Sequence, residues 1–251
     1  MRKIVLCLEE LREETKRNIA RDCSSLNVLE VLAKDNSSIV QEIVARNKNT
    51  SREILRHLAE KGNSNVKIAI MENENVTIDI LKHMASDRNY EVRKEVARNK
   101  KTPIEILNLL AKDKEVYVKS AVARNPRTPT KILRELSEEI DELTGKEYYK
   151  SVSNIGKSLV CNPNTPIEIL YSFANSDNFW LKHYLAIWER TPEKILAKLA
   201  RDENQNIRKD VAQNKSTSEE TLIELSKDYR RSVIEALKNR LDIPHSVRKN
   251  L

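Results

Sequence analysis

The chain has 251 residues, only 3 of them Gly, with a formal net charge of +7, 33% charged and 4% aromatic residues. So few glycines cannot furnish the Gly-rich, positive-φ turns of a dinucleotide- or phosphate-loop enzyme. Abundant Leu, Ile, Ala, Glu and Lys favour helix over sheet, and a hydrophobic share of 39% is too high for a disordered chain. The N-terminus runs from Arg2 and Lys3 through a short apolar stretch that stops at Glu9. It is too short for a secretory leader, and no run is long enough to span a membrane, so no membrane partner is expected. Cys7, Cys23 and Cys161 are widely spaced. That sparse, odd count predicts no disulfide framework, no metal and no cofactor, and suits a reducing cytoplasm.

An internal repeat dominates the remainder. Val44-Ala45-Arg46-Asn47-Lys48-Asn49-Thr50 returns as Val96-Ala97-Arg98-Asn99-Lys100-Lys101-Thr102 and as Val122-Ala123-Arg124-Asn125-Pro126-Arg127-Thr128. Val160-Cys161-Asn162-Pro163-Asn164-Thr165 and Val211-Ala212-Gln213-Asn214-Lys215-Ser216-Thr217 are further copies. Aligned on the Asn, the positions are Asp22, Asn47, Asn73, Asn99, Asn125, Asn162, Trp188, Asn214 and Arg240. Their spacings are 25, 26, 26, 26, 37, 26, 26 and 26 residues. Fixed-period self-similarity of this kind marks a repeat architecture.

Each copy reads as two short helices. The first follows an Asp (Asp35, Asp87, Asp113, Asp202, Asp228) and carries an apolar stripe such as Val92, Val96 and Ala97. The Asn after it is expected to end that helix in the left-handed conformation. The second helix is expected to be N-capped by Thr50, Thr102 or Thr165, with Pro103 or Pro166 at its first helical position and Glu53, Glu105 or Glu168 completing a capping box. It then carries Ile-Leu-x-x-Leu-Ala, as in Ile106, Leu107, Leu110 and Ala111. Neither helix buries its stripe alone, whereas stacked pairs do. The expected fold is therefore all-α: one right-handed α-solenoid over 1–251, of about nine two-helix repeats with a 26-residue period. At about 8–10 Å per packed helix, it would run roughly 70–90 Å.

The pattern Leu-Ala-x-Asp…Val-Arg…Val-Ala-Arg-Asn-Pro-x-Thr-Pro…Ile-Leu resembles the leucine-rich repeat variant family of α-solenoids over residues 18–251. It also resembles HEAT repeats, in which an Asp and a basic residue six positions later ladder along the stack. Here those pairs are Asp87 with Arg93, Asp113 with Lys119 and Asp202 with Arg208. Some members of the variant family carry an iron–sulfur cluster in a Cys-rich N-terminal segment. Cys7 and Cys23 alone do not make one.

Two features stand apart from the repeat. The interval of 37 residues carries an irregular insertion near 138–152, between the fifth and sixth copies, and insertions in repeat proteins map to loops. Of eleven aromatic residues, eight lie between 148 and 188. Tyr148, Tyr149, Phe179, Trp180, Tyr184 and Trp188 form a candidate interaction patch, set against the plainer reading that Tyr184 and Trp188 repack an irregular repeat. Arg93, Arg98, Lys119, Arg124, Lys182 and Arg208 form a candidate basic stripe for phosphates, set against pairing with acids of the neighbouring unit. The histidines His57, His83, His183 and His245 read as solvated helix positions, His57 and His83 being equivalent but too far apart to share a zinc ion, and no nucleophile–base pair stands out.

The first functional expectation is a non-enzymatic scaffold that binds a protein or peptide on its curved face or at the aromatic patch. The alternative is a nucleic-acid-binding solenoid resembling HEAT-like DNA glycosylases, with Asp177 near Trp180 and Trp188 as the candidate acid. The last helix, from Pro244 to Leu251, leaves a C-terminal edge at which self-association is also possible.

Overall fold

The computed structural model describes residues 7, 8, 10–142, 149 and 151–251. Tyr148 and most of the irregular insertion lie outside the described residues. Every regular element among those described is helical. The helices gather into two compact units, Met1–Arg127 and Thr128–Leu251.

In the first unit, α1 (Glu13–Asp22), α3 (Ser38–Arg46), α5 (Ser64–Ile70), α7 (Tyr90–Arg98) and α9 (Val116–Arg124) lie in a row, each against the next. Between and behind them sit α2 (Leu26–Leu32), α4 (Arg52–Lys61), α6 (Ile78–Met84) and α8 (Ile104–Leu110). The second unit holds α10 (Thr130–Glu142), a π-helical turn (Val152–Gly156) running into α11 (Lys157–Cys161), α12 (Ile167–Asn175) and α13 (Phe179–Ile187). Then follow α14 (Glu193–Leu199), α15 (Gln205–Gln213), α16 (Glu219–Leu225), α17 (Arg231–Lys238) and α18 (His245–Arg248). There α11, α13, α15 and α17 form the row.

These helices are too short to be stable alone, so packing holds them. The predicted stripes are the core: Val40, Val44 and Ala45 of α3, Val92, Val96 and Ala97 of α7, and Ile207, Val211 and Ala212 of α15 are all fully buried. Leu55, Leu107 and Leu196 of the second helices are fully buried as well.

The connections differ from expectation at two positions. The Asn after each first helix is extended, not left-handed: φ/ψ is −66°/126° at Asn47 and −70°/125° at Asn125. Its side chain explains why. Asn73 Nδ2 donates to the carbonyls of Ala45 (2.7 Å) and Asn47 (2.9 Å), while Asn73 Oδ1 accepts from the Asn75 N–H (2.8 Å). Asn125 reaches Ala97 and Asn99 in the same way, and Asn214 reaches Ala186 and Trp188. The acceptors lie at the C-terminal end of the preceding first helix, where carbonyls lack an intrahelical partner. A left-handed turn is unnecessary because the amide itself satisfies both strands of the turn.

The Thr is likewise not the N-cap. Thr50, Thr102, Thr165 and Thr217 are buried, and each hydroxyl donates backwards to the carbonyl six residues earlier, as Thr102 Oγ1 does to Val96 (2.5 Å). The N-cap position falls one residue on, at Ser51, Pro103 and Pro166, and at Ser51 the side-chain oxygen accepts from the Ile54 N–H. The Thr thus closes the first helix, and the following residue opens the second.

Asn73→Ala removes a donor to two carbonyls and an acceptor for one N–H at a site only 4% exposed. The expected loss is on the order of 3 kcal/mol in urea unfolding, with helix content retained below the transition. Asn73→Asp keeps the acceptor but aims an anionic oxygen at the Ala45 carbonyl, so its midpoint is expected to fall at least as far.

Candidate functional site

Five basic side chains in the first-helix rows meet an Asp in the following loop. Lys16 pairs with Asp35 (2.9 Å), Lys67 with Asp87 (2.7 Å), Arg93 with Asp113 (2.6 Å), Lys182 with Asp202 (2.8 Å) and Arg208 with Asp228 (2.6 Å). The partner is thus an acid of the neighbouring unit, the plainer of the two readings of these basic positions, and in four cases it is the Asp twenty residues after. The six-residue relation survives as a main-chain bond: Arg93 Nη1 donates to the Asp87 carbonyl and Arg208 Nη1 to the Asp202 carbonyl, both at 2.8 Å. Each guanidinium also holds its Asp in bidentate fashion, the strongest ion-pair geometry. The Asp oxygens accept in addition the N–H two residues on, at Ser37, Asn89, Glu115, Asn204 and Arg230.

The sequence follows this geometry where it lapses. Gln41 stands where Lys67 and Arg93 stand in the next two copies, and Lys61 stands where their Asp partners do. Gly156 and Ser176 together replace the next such pair upstream of Lys182 and Asp202. Base and acid are lost together. That i, i+20 covariation was the signal available in the sequence for the true pairing.

For the candidate stripe the consequence is direct. Arg93 and Arg208 are buried, at 8% and 5% exposure, and Lys182 is paired. Arg98 is exposed and bonded to Glu95 (2.9 Å), Lys119 is half-buried, and Arg124 is exposed. The stripe falls on both compact units, and at least four of its six members, Arg93, Arg98, Lys182 and Arg208, already pair with acids.

The aromatic candidates separate into groups. Phe179, Trp180 and Tyr184 share one face of α13 with His183 and Ile187, while Leu181, Leu185 and Ala186 bury the opposite face. Asn178 starts the helix, its side chain accepting from the Leu181 N–H (3.0 Å). Trp180 packs edge-on against Phe179 (centroids 5.3 Å) and His183 (5.7 Å) and lies 6.3 Å from Tyr184. Phe179 and His183 are stacked at 12°. His183 Nδ1 lies 2.7 Å from Asp210 Oδ2 on α15, and the Lys157 ammonium stands 5.9 Å from the Tyr184 ring. His183, read from sequence as a solvated position, is in fact central to the cluster. Trp180 is 44% exposed and Ile187 47%, so the face is apolar and open. Gly156 permits its close packing: a Cβ there would lie 2.6 Å from Leu181 Cδ2.

Trp188 is elsewhere. It occupies the position of the bonding Asn, and a cavity of about 180 Å³ adjoins it, bounded by Asn162, Pro163, Thr165 and Arg190. Tyr149 is exposed. Asp177 lines a third place, an open cleft of about 840 Å³ shared with Lys182, Lys194, Lys198, Arg201 and Asp202. Neither Trp180 nor Trp188 lines that cleft, so the acid and the aromatics of the glycosylase-like reading do not share a pocket. Among the described residues, no group of three or more His, Cys, Asp and Glu is placed to hold a metal ion. No described helix is long and apolar enough to cross a membrane.

The chain matches no protein-family model, and no curated protein matches it.

Two outcomes follow from the ion pairs. Burial opposes the charge on Asp87, Asp113 and Asp228, but the bonds from their basic partners and from main-chain N–H groups outweigh it, so all three carboxyls sit below the usual range. A depressed folded value gives stability that is complete above the unfolded pKa, near 3.9, and is lost as the pH falls through the folded one. The urea midpoint is expected to be flat from about pH 5 to 7 and to drop below about pH 4. Arg208→Leu strands Asp228, whose side chain is 6% exposed, and is expected to cost about 3–5 kcal/mol. Adding Asp228→Asn restores part of that loss, a coupling that a double-mutant cycle measures.

Proposed function

We propose that the chain is a non-enzymatic interaction scaffold: an α-solenoid of about nine two-helix repeats, akin to leucine-rich repeat variant and HEAT-like proteins, that binds a protein or peptide. The observation that carries this reading is the disposition of charge and apolar surface. Basic side chains are spent inside the molecule on aspartates, while Phe179, Trp180, Tyr184 and Ile187 present an apolar face to solvent. Exposed aromatics of this sort anchor protein partners. The cross-links at 26-residue intervals, from Asn47 through Asn73 to Asn125 and again at Asn214, support the repeat architecture.

The architecture has its own test. Deleting residues 74–99 removes one period and joins Asn73 to Lys100, which brings Asn125 opposite Met71 and Asn73. That variant is expected to remain helical with a single cooperative melt, whereas deleting 87–99, half a period, is expected to abolish it. The function is tested by selecting random heptapeptides displayed on phage against the immobilised full chain, alongside titrations of single-stranded and duplex oligonucleotides over a salt series. Peptide enrichment and no retained oligonucleotide near 150 mM salt are expected. Absence of any enriched peptide, or tight binding with a steep salt slope, would defeat the scaffold reading.

A further inference from the structure

The aromatic face of α13 lies between two helices of its own row, α11 on one side and α15 on the other. Each brings one lysine to the flank. Lys157 on α11 stands over Tyr184, and Lys209 on α15 adjoins Asp210, the residue bonded to His183. Lys157, His183 and Lys209 are successive members of one column at the 26-residue period, so they follow one another across the row. Lys157 is exposed and Lys209 half-buried. Among the described residues neither makes an ion pair, although Lys182, one residue from His183, does. Among the described residues, Asp210 is bonded to His183, Asp202 pairs with Lys182 and Glu235 pairs with Arg231. Asp177 belongs to the cleft on the other side. Among the described residues, the face is therefore an apolar strip flanked on each side by a lysine outside any ion pair.

We infer that this face binds a short extended segment of a partner protein that carries a large apolar side chain between two carboxylates. The inference rests on the scaffold reading and specifies its site and ligand. The apolar side chain sits against Trp180 and Tyr184, and the carboxylates meet Lys157 and Lys209. Two interhelical steps of about 8–10 Å separate the lysines across the row. An extended chain rises about 3.3 Å per residue, so the two acids stand about five or six residues apart. A nucleic acid is disfavoured at this face, because affinity for phosphates comes from many neutralised charges and, among the described residues, only Lys157 and Lys209 flank it outside ion pairs.

The test repeats the heptapeptide selection with three full-length proteins: the unaltered chain, Trp180→Ala, and Lys157→Glu combined with Lys209→Glu. Trp180 and Lys157 are exposed and Lys209 is half-buried, so an unchanged circular-dichroism melt is required to verify folding. On the unaltered chain, the enriched peptides are expected to carry acids near both ends and Leu, Phe or Trp between them. Trp180→Ala is expected to reduce affinity for the best peptide at least tenfold. The charge-reversed protein is expected to select basic ends in place of acidic ones. Enriched peptides that lack the acidic flanks, or whose binding ignores Trp180→Ala, would overturn the assignment of this face while leaving the scaffold reading intact. No enrichment on any of the proteins defeats both, and tight oligonucleotide binding that is lost in Trp180→Ala replaces this ligand with a nucleic acid.

Discussion

The structure depends on a buried carboxamide. A short helix ends with carbonyls that nothing within it satisfies, and a row of short helices packed side by side would bury one such end per turn of the pattern. Leaving each unpaired costs on the order of 1–3 kcal/mol. Asn answers this with both halves of its side chain. Nδ2 donates to two carbonyls of the preceding helix end, and Oδ1 holds the N–H two residues on, as at Asn73 and Asn214. One side chain therefore closes its own turn and fixes its distance to the neighbour. Arg240 shows that donor geometry, rather than the amide as such, is what the position requires: its Nη1 donates to the carbonyls of Ala212 (3.0 Å) and Asn214 (2.8 Å).

The ion pairs act on the same register from the other end of each first helix. Taking Arg93 and Asp113 out of water is costly, and Coulomb attraction alone does not offset it. The remaining hydrogen-bonding capacity is used, however. The guanidinium also bonds the Asp87 and Arg88 carbonyls, and Asp113 accepts the Glu115 N–H. Such a network specifies which loop faces which helix more than it adds net stability. Its two lapses fit this role. At Gln41 the cation is gone, yet the amide keeps the main-chain bond, donating to the Asp35 carbonyl at 2.7 Å.

Much of this was legible in the sequence, because the period of 26 residues shows which positions are equivalent and the apolar stripes show which faces are buried. Val92, Val96, Ile106 and Leu107 needed no structure to be placed in the core. The polar positions were harder. Propensity assigns Asn to a left-handed helix end and Thr to an N-cap, and both assignments are local. The partners that decide the matter are carbonyls one period away for Asn and six residues back for Thr. The aromatic cluster was half legible. Clustering along the chain singled out Phe179, Trp180 and Tyr184, but it grouped Trp188 with them, and helical spacing alone does not separate residue 188 from residue 184. His183 was missed because its significance lies in Asp210, on the next helix of the row.

The departures from the pattern fall together. Between residues 156 and 188 the chain gives up an ion pair at Gly156 and Ser176 and a bonding amide at Trp188. It gains in the same stretch a helix that is apolar on both faces. Sequences are expected to be consistent across levels except where something other than stability is being served. A solvent-facing Trp180 contributes little to folding. Gly156 in turn leaves room for Leu181, which seats α13 with its aromatic side outward. The losses of the regular devices and the open aromatic face thus fall in one stretch of the chain, between residues 156 and 188.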